Sequence, residues 1–429
     1  MIKKETNKSK YETLGLQPIY NEDYYAMQGF FEKAQEICVY YGFKPLACSP
    51  LYQESVLSNS LQEHYDTESK KVLSLKKNNH SLITSYPHIA QIIQDLALVA
   101  LRPTKIQTEL TYTFSPCATF SKKTGEFEID WKFTIAAVGN AKPISEAMLI
   151  QTALAILQEH GMNDVLIDVF TLGDEDSQSD YVKELRSYYR KHSSKFTAEE
   201  KELLKSQTIK LLELKETKFK SINSEAPDSV NFLSPNSKKH FKKLLESIEH
   251  MDLPYSINNE VIHCVGPYHN ETIYSIKEIN KDDESVSFLA CGGFTSTLGK
   301  RLDIAKELPC ASITISYNAI KKSKQFQSIA PKIQKSANVF FVQIGELASI
   351  SSLSILEILR KNKIPVHHAL SDDSITTQID KAKALNIPYM VIYGQREVLD
   401  KTVIVRTVKS NSQENVKIEK LAEYLKKLK

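Results

Sequence analysis

Arginine is scarce in this chain. Of the 55 lysines and arginines, seven are arginine, at positions 102, 186, 190, 301, 360, 396 and 406. The guanidinium is the side chain that grips two oxygens in one plane and never loses its proton. Few sites of that kind can therefore exist here. Cysteine is sparse and scattered, with six residues at 38, 48, 117, 264, 291 and 310 and no CxxC pair. That spacing excludes a zinc pattern and a disulfide framework, and it points to a reducing, cytoplasmic setting. No apolar run approaches the roughly 20 residues of a membrane span. The opening MIKKETNKSKYE is basic but has no apolar stretch, so it does not read as a secretory signal. The net charge of +3 is too small to argue for a nucleic-acid partner by itself, and no DNA partner is expected.

What is there is ordinary globular material. A chain of 429 residues with 41% hydrophobic and 25% charged content predicts about two to three folded domains. Residues 20–42 carry apolar residues at helical spacing and end at Gly42, and FKPLACSPLY follows as a strand. KKVLSLKK and SLITSYPH read as two strands, and IAQIIQDLALVAL reads as a helix. PTKIQTELTYTFSPCATF and IDWKFTIAAVG read as strands joined by a polar loop, and the helix PISEAMLIQTALAILQEHG closes at Gly161. Residues 179–253 change character, becoming charged and helical. SVSFLACG reads as a strand, GGFTSTLGK as a Gly-bounded turn, and CASITISYNAI as a strand entering a helix. After a basic linker near 325–336, residues 337–429 alternate strand and helix, which gives a small parallel-centred sheet.

Several of these phrases resemble the histidyl-tRNA synthetases of class II. Leu212-Glu213-Leu214-Lys215, Ala226-Pro227-Asp228, His240-Phe241 and Leu253-Pro254-Tyr255-Ser256-Ile257-Asn258 match the insertion of the bacterial enzymes. Gly292-Gly293-Phe294, then Pro309-Cys310-Ala311-Ser312-Ile313 and Ser316-Tyr317-Asn318-Ala319-Ile320, follow the frame of that family's motif 3. The long helix, strand and Pro50 resemble its motif 1, which implies a homodimer through that helix and strand. The resemblance implies an α+β fold. A class II antiparallel sheet with flanking helices would span 1–178 and 254–325. A helical insertion would span 179–253, and an anticodon-binding-like α/β domain 337–429.

Under the same resemblance, the residues that carry the chemistry are missing. The glutamate and threonine that hold the substrate's amino group in that family fall at Pro87 and Ile89, and an arginine of the same phrase falls at Ser85. The motif 2 arginine falls at Ser115 and its glutamate at Cys117, while a later glutamine and glutamate fall near Lys132 and Ala136. The histidine-specific arginine falls at Cys264, and of two tyrosines only Tyr268 keeps its identity, the other being His269. The motif 3 arginine falls at Ala319. His263 and His269 read as surface or packing histidines. Outside the insertion and the C-terminal domain only Arg102 and Arg301 exist, so no register of the alignment restores the three arginines that the mechanism uses. Lysines 122, 123, 132 and 300 offer charge without the fork.

The expectation is a catalytically degenerate relative that binds tRNA or a protein partner. Its candidate tRNA contacts are Gln378, Lys381, Lys383, Lys401 and Lys409. No metal and no cofactor is expected, with ATP and magnesium entering only if activity persists. A divergent active ligase and a regulator of ATP phosphoribosyltransferase are the alternatives.

Overall fold

A 13-residue hairpin sets the frame of the first unit: β5 (Glu109–Ser121) pairs antiparallel with β6 (Glu126–Val138) along its whole length. The computed structural model describes residues 18–428, apart from 63–71, 78–79, 85–88, 101–106, 122–124, 215, 260, 262–265, 267, 280–284, 333–336 and 373. Its contacts divide the chain into two units, Met1–Pro331 and Lys332–Lys429.

In the first unit the other strands are β1 (Lys44–Pro45), β2 (Leu51–Gln53), β3 (Ser74–Lys77), β4 (His80–Thr84), β7 (Leu166–Gly173), β8 (Tyr255–Ile257), β9 (Glu271–Ile279), β10 (Val286–Thr295) and β11 (Cys310–Ser316). Eight of them form one sheet in the order β1-β5-β6-β11-β10-β9-β7-β8, and β2-β4-β3 form a small separate sheet. The large sheet is antiparallel except at its two edges, where β1 runs parallel to β5 and β8 parallel to β7.

One face of the large sheet is sealed by three helices, Glu22–Tyr40, Pro143–Glu159 and Pro235–His250. Phe30, Ala34, Leu149, Ile150, Leu157, Phe241 and Leu244 from these helices meet Phe133, Ile135, Tyr274, Ile276, Ile313 and Ile315 from the strands. The period-2 alternation of Ser312-Ile313-Thr314-Ile315-Ser316 gives that face to the isoleucines. On the opposite face two apolar clusters stand apart. One gathers Ala136, Val138 and Cys310 with the helices Glu54–Leu61 and Ile89–Val99. The other gathers Phe170, Leu172 and Ile273 with the helices Glu175–His192, Ala198–Ser206 and Thr217–Ser224. A polar strip separates them.

The second unit holds β12 (Val339–Ile344), β13 (His367–His368), β14 (Tyr389–Gly394), β15 (Thr402–Thr407) and β16 (Gln413–Lys417), ordered β13-β12-β14-β15-β16. β12 is parallel to β13 and β14, while β14, β15 and β16 pair antiparallel. Helices cover both faces: Leu359, Leu421 and Leu425 pack on one, and Ala382 on the other. A strand covered on both faces reads as a near-continuous apolar run, as Val339–Val342 of β12 does before Gln343.

Three readings of the sequence change. FKPLACSPLY is not one strand: pairing covers only Lys44–Pro45 and Leu51–Gln53, because Pro45 and Pro50 cannot donate to a ladder. The glycine pair is not a turn, since Gly292 and Gly293 lie inside β10. β16 escaped notice because its side chains are polar and exposed except Val416. The last helix of the stretch 179–253 is shared with the main core, to which its Phe241, Leu244 and Ile248 belong.

Candidate functional site

Seven strands of the large sheet place one residue each in a continuous cross-strand row. Thr113 of β5 stands opposite Thr134 of β6, Thr134 opposite Thr314 of β11, and Thr314 opposite Cys291 of β10. Cys291 then faces Ser275 of β9, Ser275 faces Asp168 of β7, and Asp168 faces Ser256 of β8. Directly opposed residues share a face, so the row is a band of small polar groups between the two apolar clusters. The Thr134 and Thr314 hydroxyls are 2.9 Å apart. Ser256 donates to Asp168 Oδ1 at 2.5 Å, and Lys277 Nζ stands 2.5 Å from Asp168 Oδ2. Both partners of that ion pair are buried, and Oδ2 finds no donor at a good hydrogen-bonding angle, so the contact is one of charge.

Above the row lies a cavity of about 380 Å³. Of the pocket positions drawn from the resemblance, Ile89, Cys117, Lys132, Tyr268, His269 and Gly292 line it. Thr119, Phe288, Cys291, Ser312, Thr314 and Ser316 also line it. The glycines serve close approach. A Cβ on Gly292 would stand 2.1 Å from the Ser312 carbonyl oxygen and 2.7 Å from the Tyr274 ring, and one on Gly293 would press the Thr272 carbonyl at 2.9 Å and the His269 ring at 3.2 Å.

His269 is 7% exposed, and its ring centroid is 4.5 Å from that of Tyr268. Its Nδ1 accepts from the Gly266 amide at 2.8 Å, so the neutral ring carries its proton on Nε2. Burial lowers its pKa to about 4. The Cys117 thiol moves the other way: burial pushes it up to about 12 although Lys132 pulls it down, so it is no nucleophile at neutral pH.

Lys132 is the one lysine or arginine among the described lining residues. Its Nζ is 3.3 Å from Asp130 Oδ2. The same carboxylate accepts from Ser316 Oγ at 2.7 Å and from the Asn318 amide at 3.1 Å. Ser316 also caps the helix Tyr317–Lys322 by accepting from the Ala319 amide.

Other expected positions go elsewhere. Ala136 and Phe294 are core residues, and Ala319 packs partly buried against the core, so none of the three lines the cavity. Ser115 stands opposite Lys132 in the hairpin but outside the lining. Ser85, Pro87 and Cys264 lie outside the described residues, as do Arg102, Lys122 and Lys123. Arg301 does not reach the cavity lining, and its guanidinium donates to the Ser60 carbonyl at 2.8 Å. Cys291 is disulfide-bonded, against the expectation that the cysteines stay reduced.

In the second unit Gln378 is withdrawn as a nucleic-acid contact. It is fully buried, its Oε1 accepts from the Gln343 amide, and its Nε2 donates to the Gln343 and Asp372 carbonyls. Lys381 pairs with Asp372, while Lys383, Lys401 and Lys409 are exposed.

The polar row was missed in the sequence. Its signal is the Ser312-Ile313-Thr314-Ile315-Ser316 alternation, which marks a strand with one polar face.

Comparison with known proteins agrees with this architecture. Residues 342–428 match a family described as an anticodon binding domain. A histidine–tRNA ligase of Dehalococcoides mccartyi is 23% identical over 398 residues, covering 92% of this chain and 94% of the relative. One from Clostridioides difficile is 22% identical over 419 residues, covering 96% and 98%. The apo histidyl-tRNA synthetase of S. aureus superposes with a TM-score of 0.75 at 18% identity, over 96% of this chain and 98% of that one. A Bacillus halodurans structure titled as an ATP phosphoribosyltransferase regulatory subunit/histidyl-tRNA synthetase superposes with a TM-score of 0.57 at 12% identity, over 87% and 96%.

Proposed function

We propose, for a chain that belongs to the histidyl-tRNA synthetase family of class II, a role in binding tRNA without activating an amino acid. One observation carries this reading. The cavity's single described lysine is already tied to Asp130, and Arg301, the one arginine described outside residues 179–253 and the C-terminal unit, donates to a backbone carbonyl. Activation joins a carboxylate to a phosphate, so two anions must be brought together by fixed cations. Losing one such donor typically costs about 10²–10³ in rate, and here the set is incomplete in every register.

The tRNA half of the reading rests on the anticodon-type domain and its exposed lysines. Phosphate contacts of this kind are salt-dependent. A homodimer fits the same reading, since Val39 and Tyr40 at the end of the first helix are 63% and 79% exposed and would be covered by a second copy.

The test has two arms. ATP–pyrophosphate exchange with histidine at high protein concentration should stay at background. A gel shift with bulk tRNA should give a complex that weakens at least tenfold in the triple variant Lys383→Glu, Lys401→Glu, Lys409→Glu. Histidine-dependent exchange would return the chain to the active ligases, which its likeness to them over more than nine-tenths of its length also favours. A regulatory role beside a phosphoribosyltransferase is supported by the B. halodurans neighbour, and would show as co-purification with that enzyme.

A further inference from the structure

The large sheet ends at β8, and an apolar groove runs beside that edge on the helix-covered side. We propose that this groove docks an extended, acidic segment of another protein, added as a strand along β8. The surface shares no lining residue with the cavity on the polar face, so it serves equally whether or not the chain activates an amino acid.

The open edge is the first observation. β8 stands last in the strand order and pairs with β7 on one side only. The Asn258 amide donates to the Val169 carbonyl at 3.0 Å, and the Ile167 amide to the Pro254 carbonyl at 3.4 Å. Backbone groups along a strand point to its two sides in turn, so Ser256 also faces β7, while Tyr255 and Ile257 turn their amides and carbonyls outward. No backbone group among the described residues pairs with them. Such a row is a template for one more strand.

The second observation is what the edge borders. Ser256 reaches Asp168 on the polar face, so its neighbour Ile257 points to the other. There Ile257 lines a groove of about 410 Å³ with Leu233, Phe241 and Leu245. Ile257 is 54% exposed. An unpaired edge is ordinarily blunted by lysine, proline or a bulge, and here it carries a bare isoleucine.

Charge is the third. The helix Pro235–His250 turns back into β8 through residues 251–254, and Tyr255 donates to Glu249 Oε1 at 2.7 Å. The acidic end of the groove is therefore at the start of the strand. Lys242 answers Glu246 at 3.5 Å. Lys238 lines the other end, exposed and without an ion pair among the described residues. The carboxylates are met within the protein, and the unanswered charge is positive. A strand with Asp or Glu beside Lys238 and an aliphatic side chain over Ile257 and Leu245 matches both features. A nucleic acid could meet the lysine, but its phosphates gain nothing from an apolar floor or an open strand edge.

The experiment selects short random peptides displayed on phage against the full chain and titrates the synthesised winners by fluorescence anisotropy. Winners should carry an aliphatic or aromatic residue with Asp or Glu to one side. Their binding should slow hydrogen exchange at the Tyr255 and Ile257 amides. Affinity should fall about tenfold in Ile257→Lys, which charges the edge, and about fivefold in Lys238→Glu, the second loss shrinking as salt is added. Both positions are exposed, and the melting temperature of each variant is recorded. The proposal is overturned if no peptide is selected, if winners lack acidic residues, or if they bind Ile257→Lys as tightly as the parent chain. Two other occupants would overturn it as well. Bulk tRNA that displaces the peptide and binds Lys238→Glu more weakly would make this face an RNA surface. Self-association in the ultracentrifuge that Ile257→Lys abolishes would make the occupant a second copy of the chain.

Discussion

The two faces of the eight-stranded sheet share every backbone hydrogen bond yet differ in almost everything else. One face is paved with Phe133, Ile135, Tyr274, Ile313 and Ile315 and sealed by three helices. The other carries the row from Thr113 to Ser256 and leaves a cavity above it. Successive side chains of a strand point to opposite sides, so a single run such as Cys310–Ser316 feeds both. The apolar face supplies stability through area removed from water. The polar face gives up some of that area and leaves a cavity lined in part by polar groups.

That contrast makes the faces separable by mutation. The largest effect should fall on the sealed face. Phe30 is fully buried, with its ring 5.2–6.2 Å from those of His160, Tyr317, Phe114 and Phe133. Phe30→Ala should cost about 3–5 kcal/mol of unfolding free energy, read by urea denaturation of the full chain.

An intermediate effect comes from a polar cluster that sits, exceptionally, on the sealed side. His240 Nε2 meets Glu146 Oε1 at 2.5 Å, and Thr272 donates to the other oxygen of Glu146. Burial alone would lower the His240 pKa, but the bond and charge of Glu146, with Glu271 nearby, raise it above its ordinary value. A raised histidine contributes stability that is complete below about 6.5 and is lost as pH rises through the folded value. Unfolding free energy should therefore fall on going from pH 6 to pH 9, by about 1.4 kcal/mol for each tenfold gain in proton affinity. His240→Gln should flatten that slope. Glu271, whose carboxyl burial holds high, adds a loss of the same sign at lower pH in both proteins.

The smallest effect should fall on the cavity face. Thr314→Val breaks the 2.9 Å bond to Thr134 while keeping its volume, and should cost about 1 kcal/mol. A cost matching that of Phe30→Ala would mean that the polar row is part of the core, and the contrast between the faces would fail.

Particular residues show why some of this was legible and some was not. The phrase His240-Phe241 served as a family signature, and the structure explains the pairing of types: His240 clamps Glu146 while Phe241 enters the core. Lys132, Cys117, Tyr268 and Ile89 are scattered over 180 residues of sequence yet line one cavity. Their grouping was reached through resemblance, because periodicity speaks only of neighbours along the chain. Phe294, Ala136 and Ala319 were placed in the pocket by alignment and belong to the packed interior, since alternation on a strand or a turn of helix decides which side a position serves. Gln378 looked like a polar contact for nucleic acid, and its amide instead ties a helix to β12.

The sequence alone determined the shortage of arginine, on which the proposed loss of activation rests, because a count does not depend on folding. Its alternation of strand and helix after residue 337 also marked out the C-terminal α/β domain, where residues 342–428 match an anticodon binding domain. Only the tertiary structure decided that Thr113, Thr134, Thr314, Cys291, Ser275, Asp168 and Ser256 form one row, and that His269, with its Nδ1 accepting from the Gly266 amide, lines the space above it. Cross-strand register and ring tautomer are set by contacts between residues far apart in the chain, and no local pattern encodes them.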